Sequence, residues 1–264
     1  MHENLSPQDA AKYAAGKQAV RMYAKEGANL GLGSGTTSGW FVRALGEEVA
    51  RGLHVTGVPT STSTRDLALS LGIPLMDVND LEVPLDVTVD GPDEVDRDGD
   101  MIKGGGACLL WERLVAEASA KMVCIADESK LVEHLGNFPL PIEVVMFGWE
   151  ATRRSVVALL SDLGYRDVKT IDVVRRVSDG VPVVTDSGNY ILDVRLGRIT
   201  DKGLLDTNLN WIAGVVENGL FIGIASEMIV AAPDGNVRVI EPRARNSPRV
   251  PPWRSKAIGA MEGM

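Results

Sequence analysis

Cysteine is scarce in this chain: Cys108 and Cys124 are the only two in 264 residues. Two cysteines exclude a disulfide framework and cannot build a zinc site by themselves. Histidine is equally thin, with three residues and no pair at metal-ligand spacing, so no metal is expected. Long apolar runs are missing too; none approaches the ~18 residues that span a bilayer. The first sixteen residues are polar with scattered alanines and lack the apolar core of a secretory signal, so a cytoplasmic protein without a membrane partner is expected. Positive charge is in the minority, with 27 Lys and Arg against 36 Asp and Glu, a net charge of −9. That balance argues against nucleic acid or an anionic membrane as the main partner. It does not argue against a phosphorylated small molecule, which needs only a local positive pocket.

Against these absences, 45% of the residues are hydrophobic, enough for a substantial core. Apolar spacing predicts helices over 7–25, 39–51, from the hydroxyl run to 71, and over 109–120, with strands over 29–32, 55–59, 85–89 and 123–126. Strands alternating with helices predict an α/β fold with a mostly parallel sheet, in which ligands collect beyond the carboxyl ends of the strands. Each polar cluster of this first half follows a strand. Past Pro139 the texture changes: strands over 142–147 and 190–194 and helices over 152–163 and 204–211 read as a second, smaller α+β domain. Strands near 220–223 and 228–232 are expected to return to the first sheet. The expected organisation is a catalytic domain of 1–138 plus 214–241, a small domain of 139–213, and a loose tail over 242–264, rich in proline and arginine.

Four clusters carry chemistry. Gly31-Leu32-Gly33-Ser34-Gly35-Thr36-Thr37 is a glycine–hydroxyl turn leading into a helix, suited to cradle a phosphate on free backbone N–H groups. A dinucleotide pyrophosphate is the competing ligand. Against it, the spacing is not G-x-G-x-x-G, and no acidic residue ends the next strand. Asp90-Gly91-Pro92-Asp93-Glu94-Val95-Asp96 packs four carboxylates into seven residues, which repel unless ligands or cations share the space. It lacks the twelfth-position glutamate of a calcium loop, and Asp90 and Asp93 suit sugar hydroxyls. Lys103-Gly104-Gly105-Gly106 is followed by Glu112 on the next helix. A carboxylate and a cation beside one substrate suit enolisation: one takes the proton next to a carbonyl, the other steadies the oxyanion. Taken alone, Glu112 would read as an exposed helix residue paired with Arg113 or Lys121. Lys130, after Asp127-Glu128-Ser129, is a further candidate for a phosphate or hydroxyl.

In their joint order these clusters resemble the A-type ribose-5-phosphate isomerase family. The match runs from about residue 10 to about residue 239. It includes Pro59-Thr60-Ser61 with Thr64, Leu140-Pro141-Ile142-Glu143-Val144 and Asp186-Ser187-Gly188-Asn189-Tyr190-Ile191-Leu192-Asp193. The resemblance implies a Rossmann-like domain with a smaller α+β domain, assembled as a homodimer or homotetramer. The implied reaction is the interconversion of ribose 5-phosphate and ribulose 5-phosphate through an enediolate, without cofactor or metal, in the non-oxidative pentose phosphate pathway. Glu112 is then the acid/base that moves the proton between C1 and C2. Lys103, with Asp90, assists ring opening and holds the reacting oxygens, and Asp93 binds hydroxyls. Ser34, Gly35, Thr36 and Thr37 hold the phosphate or adjacent oxygens, and Lys130 completes the pocket. Gly91, Pro92, Gly104, Gly105 and Gly106 line the substrate. Where the family commonly has a hydroxyl and then a basic residue just before the glutamate, this chain has Leu110 and Trp111. A sugar-phosphate-sensing module without catalysis is the alternative of the same fold. Such a module would not need Glu112 or Lys103.

Overall fold

The structure, a computed structural model, describes residues 5–165 and 173–243. The tail expected over 242–264 therefore falls, but for its first two residues, outside the described residues. In chain order the first half comprises α1 (Pro7–Tyr23), β1 (Asn29–Leu32), α2 (Thr36–Ala50), β2 (Thr56–Pro59), α3 (Thr62–Ser70), β3 (Val87–Asp90), β4 (Glu94–Val95), β5 (Met101–Ile102), α4 (Leu109–Glu117) and β6 (Met122–Asp127). There follow β7 (Leu140–Val144), α5 (Trp149–Asp162), β8 (Val173–Arg175), β9 (Val177–Ser178), β10 (Val181–Pro182), β11 (Tyr190–Val194), α6 (Lys202–Leu209), β12 (Val215–Asn218), β13 (Leu220–Phe221), β14 (Ala225–Ala231) and β15 (Val237–Ile240).

The main sheet has the order β15-β14-β6-β3-β1-β2 and is parallel except for β15, which runs antiparallel on the edge. Its central strands are buried on both faces; every residue of β6 is inaccessible, as expected for parallel strands covered on both sides. One face packs Leu30, Val89, Ile125 and Ile229 under Ala11, Ala15 and Ala19 of α1 and Phe41 and Leu45 of α2. The other carries Met122, Cys124, Met228 and Val230 against Leu109, Ala116 and Phe221. Strand order reverses between β1 and β3: the chain goes from β1 out to β2, then returns to the opposite side at β3. The crevice outside the carboxyl ends of two such strands is where an open α/β sheet receives a ligand.

The four-stranded sheet β12-β7-β11-β8 is antiparallel throughout. Its apolar face, with Ile142, Val144, Leu192 and Val194, packs on Val156 and Leu160 of α5 and Leu205 and Leu209 of α6. Val215–Asn218, within the stretch expected to accompany the first sheet, pairs with β7 here. The expectation that 220–223 returns to the main sheet is corrected. Leu220–Phe221 pairs antiparallel with β5 in a separate sheet of order β13-β5-β4, and only β14 and β15 rejoin the large one. Strands of two residues carry too little periodicity to be seen in sequence.

A close approach explains the Gly31-x-Gly33 spacing. A Cβ built on Gly33 would stand 2.2 Å from Asp90 Oδ1 and 2.6 Å from Asp90 Cα. The chain leaving β1 can lie against the end of β3 only without a side chain at that point. Gly33→Ala is expected to cost about 1–3 kcal/mol of stability by overpacking. Urea unfolding of the variant and the parent measures it.

Candidate active site

The crevice between β1 and β3 is lined by Ser34, Gly35, Thr36, Thr37, Gly91, Pro92, Asp93, Lys103, Gly104, Gly105, Gly106, Glu112 and Lys130, around a cavity of about 80 Å³. Every lining residue comes from one of the sequence clusters. Asp90 is the one candidate that does not line it. It is fully buried behind the wall.

On one side lies the start of α2. The helix begins at Thr36, three residues before the expected position, so Thr36, Thr37 and Ser38 form its first turn rather than a loop. Its N-cap, Gly35, sits at φ 93° and has no side chain with which to cap the turn. By contrast, Ser61 caps α3 through a bond from Thr64 N–H at 3.0 Å. An uncapped helix start at a cleft leaves backbone N–H donors, and the positive end of the helix dipole, for an anion. The hydroxyl run behind it is scaffolding: Ser34 Oγ lies 2.7 Å from Thr60 Oγ1 and donates to Ser61 Oγ at 2.7 Å, while Thr64 Oγ1 donates to the Gly33 carbonyl at 3.1 Å. Lys130 faces the same cleft with no protein partner among the described residues.

On the other side stands a charged trio. Lys103 Nζ lies 3.0 Å from Asp90 Oδ2 and 3.2 Å from Glu112 Oε1, and it donates to the Gly91 carbonyl at 2.6 Å. All three side chains are almost wholly inaccessible. Asp90 Oδ1 accepts from Ser34 N–H at 3.1 Å, Ser38 Oγ at 2.8 Å and Gly91 N–H at 2.8 Å. Glu112 has no such support; its Oε2 is buried without a hydrogen-bond partner. Burial pushes the Glu112 carboxyl above the ordinary carboxylate range; the Lys103 ammonium opposes the shift and the Asp90 charge adds to it. For Lys103 the largest single effect, burial, disfavours the charge, yet the two carboxylates together outweigh it and hold the ammonium above its ordinary range. Glu112 is thus not the exposed residue that its position alone suggested. Arg113 pairs with Glu217 at 2.7 Å, and Lys121 covers the Tyr23 ring.

The four crowded carboxylates each have their own partner rather than a shared one. Asp93 Oδ2 accepts Gly105 N–H at 2.7 Å, Glu94 accepts Gly136 and Phe138 N–H, and Lys202 Nζ lies 2.5 Å from Asp96 and 2.7 Å from Asp100. Lys202 thereby sits among Asp96, Asp98 and Asp100, which form the one candidate metal cluster among the described residues. Cys108 Sγ donates to the Gly106 carbonyl at 3.1 Å, and burial pushes its thiol up to about 12, away from the thiolate form. Trp111, one of the two departures before Glu112, donates its indole N–H to Ser187 Oγ at 2.9 Å and so ties α4 to the turn that follows β10.

Three contributors escaped the sequence reading. Ser38 is one, although it stands in the hydroxyl turn. Phe221 lies under Lys103 with its ring centroid 5.6 Å from Nζ. Arg176 donates to the carbonyls of Gly104 and Gly105. Nothing in the local sequence marks the last two, because both reach the site from distant elements.

A parallel sheet with a buried acid–cation pair in a glycine-lined crevice at the carboxyl ends of its strands is the architecture of an α/β enzyme. Comparison with known proteins narrows the class. The family model of ribose 5-phosphate isomerase A (phosphoriboisomerase A) matches residues 56–235. Ribose-5-phosphate isomerase A 2 of Yersinia pseudotuberculosis is 50% identical over 230 residues, covering 87% of this chain and 96% of that protein. A solved D-ribose-5-phosphate isomerase in complex with phospho-erythronic acid superposes with TM-score 0.79 at 34% identity, covering 89% of this chain and 99% of that one. The ribose 5-phosphate isomerase of Plasmodium falciparum gives 0.81 at 31% identity, covering 89% and 100%. This chain belongs to the ribose 5-phosphate isomerase A family.

The raised Glu112 carboxyl has a consequence for stability. A group that binds its proton more tightly when folded adds stability that is fully present below its unfolded value, about 4.3, and lost as pH rises through its folded value. Glu112→Gln, which keeps the neutral form at every pH, should therefore gain on the parent as pH is raised from 5 toward 9. Paired urea titrations across that range read the difference; a gap that stayed constant or closed would contradict the assignment.

Proposed function

We propose that the chain interconverts D-ribose 5-phosphate and D-ribulose 5-phosphate through an enediolate. The names and high identity of its curated relatives support the reaction. The observation that carries the mechanism is the Glu112 carboxyl, buried in the crevice with Oε1 on Lys103 and Oε2 unpartnered. An oxygen buried without a donor is costly unless a ligand uses it. The phosphate sits on the first turn of α2, at Gly35, Thr36 and Thr37 with Ser34 behind them, and Lys130 neutralises part of its charge. The opened sugar then extends toward Glu112. The Glu112 carboxylate takes the proton from C2 of the aldose, and the electron pair moves to the carbonyl at C1 to give the enediolate. The same carboxyl returns the proton to C1, the proton of the C2 hydroxyl passes to the oxyanion at O1, and C2 becomes the ketone carbon while O1 becomes a hydroxyl. A proton affinity raised toward neutrality suits a group that must both take and return a proton. Lys103 steadies the oxyanion, Asp90 holds Lys103 from behind, and Asp93, with Gly91 and Pro92, meets the sugar hydroxyls. A sensing module without catalysis has no use for a buried carboxyl and ammonium beside the bound sugar.

Two further readings accompany this one. A cytoplasmic protein agrees with two unpaired cysteines; among the described residues no helix is long and apolar enough to cross a membrane. A homodimer or homotetramer agrees with the open aromatic surface at Phe147, 95% exposed, and Trp211, 81% exposed.

Turnover and binding separate the roles. Glu112→Gln should lower kcat by about 10³-fold or more, within reach of the loss expected for a general acid–base, while ribose 5-phosphate binding by calorimetry stays within about threefold. Lys130→Met should instead raise KM about tenfold, the worth of one charge-assisted contact, with a small change in kcat. Steady-state assays that follow ketose formation decide both.

A further inference from the structure

Arg176 belongs to the second sheet, in the short connection between β8 and β9, yet its guanidinium ends at the catalytic loop. Nη1 donates to the carbonyls of Gly104 at 2.8 Å and Gly105 at 2.9 Å. The rest of the fork is fixed by Asp193 on β11, with Nε 2.8 Å from Oδ2 and Nη2 2.5 Å from Oδ1. Its backbone is anchored as well: Arg176 N–H donates to the Ile191 carbonyl at 2.8 Å and Val183 N–H donates to the Arg176 carbonyl at 3.0 Å. One side chain therefore grips two successive peptide units from outside.

The two units respond differently. A trans peptide points its C=O and its N–H in opposite directions. With the Gly104 carbonyl turned to Arg176, Gly105 N–H points the other way and is used by Asp93 Oδ2 at 2.7 Å. With the Gly105 carbonyl also turned to Arg176, Gly106 N–H points away from the guanidinium, and among the described residues it has no partner. Gly106 lines the crevice together with Lys103 and Glu112. The loop does not hold this shape cheaply. Ala107, at φ 60°, stands in the left-handed region that a residue with a Cβ adopts only at a cost. A free donor in a strained, externally clamped loop beside the acid–base pair has the form of an oxyanion donor.

We propose that Arg176 is a positioning residue which, held by Asp193, turns the Gly105–Gly106 peptide so that Gly106 N–H meets an oxygen of the enediolate. The proposal rests on the isomerase reading and deepens it. Arginine is required: a lysine ammonium cannot bond two carbonyls and both Asp193 oxygens in one plane.

The test uses the full chain with Arg176→Gln, Arg176→Lys and Asp193→Asn. For both Arg176 variants kcat should fall by about 30- to 100-fold, the scale of a lost or misplaced oxyanion donor, with KM within about threefold. Asp193→Asn, which keeps the guanidinium but loosens it, should lose about tenfold or less. Phospho-erythronic acid serves as the probe, since its carboxylate sets two oxygens as an enediolate does. By calorimetry the Arg176 variants should bind it about tenfold or more weakly at unchanged stoichiometry. A merely structural role predicts the opposite, a lower stoichiometry at unchanged affinity, and that result overturns the proposal. Normal kcat in Arg176→Gln, with an active parent, overturns this proposal alone. A parent that leaves ribose 5-phosphate unchanged overturns the isomerase reading with it.

Discussion

One ammonium group between two carboxylates organises this molecule. Lys103 is buried with Asp90 on one side and Glu112 on the other. A single positive charge balances only one of the two negative charges, and the interior leaves little water to balance the second. Three protein donors on Oδ1 reinforce Asp90. Glu112 receives Lys103 and nothing else. Burial drives the Glu112 carboxyl to hold its proton more tightly, with Lys103 opposing the shift and the Asp90 charge adding to it. The two carboxylates differ in how fully protein donors satisfy them.

Much of the fold around this trio serves to build the inequality. Gly33 has no side chain, so the backbone after β1 touches Asp90 and Ser34 N–H reaches it. Ser38 lies within the first turn of α2, and its hydroxyl donates to Asp90 while accepting Gly91 N–H at 2.9 Å. The same helix start thus braces Asp90 with its side chains and leaves its N–H groups open toward the cleft. In the proposed reaction an acidic chain of net charge −9 accepts its anionic substrate there through aligned peptide dipoles and Lys130 at short range, where they outweigh distant surface charge screened by salt.

The parallel sheet and most of its helices were legible because each strand is a continuous apolar run closed by a polar cluster, and the helices keep a 3.6-residue period. β1 and β11 fall at the expected positions. Legibility failed where periodicity is too short or the partner too far. Four residues in β4 and β5, and two in β13, make strands only through each other. The start of α2 at Thr36 is hidden in the sequence because Thr-Thr-Ser has weak helix propensity, while in the fold Ser38 of this turn bonds Asp90. Within the site, spacing exposed the glycine loops and their charged neighbours. It could not show that Asp90 stands behind Lys103 rather than in the cleft, since burial depth is a property of the packed sheet. Arg176 reaches Gly104 across 72 positions of sequence, a contact that no local pattern encodes.

The two departures before Glu112 show how the same geometry tolerates a different chemistry beside it. A basic residue at position 111 would have brought a further positive charge to the first turn of α4. Trp111 adds none. Its indole N–H is spent on Ser187, in a turn whose Asp186 accepts both the N–H and the hydroxyl of Thr62 at 2.8 Å. The helix bearing Glu112, the start of α3 and the turn before β11 are thereby held as one unit by neutral and charge-assisted hydrogen bonds at the surface, outside the trio. Glu112 is then governed by burial, by Lys103 and by the neighbouring aspartate charges, and a neutral tryptophan leaves that balance unchanged while fixing the helix that carries the carboxyl.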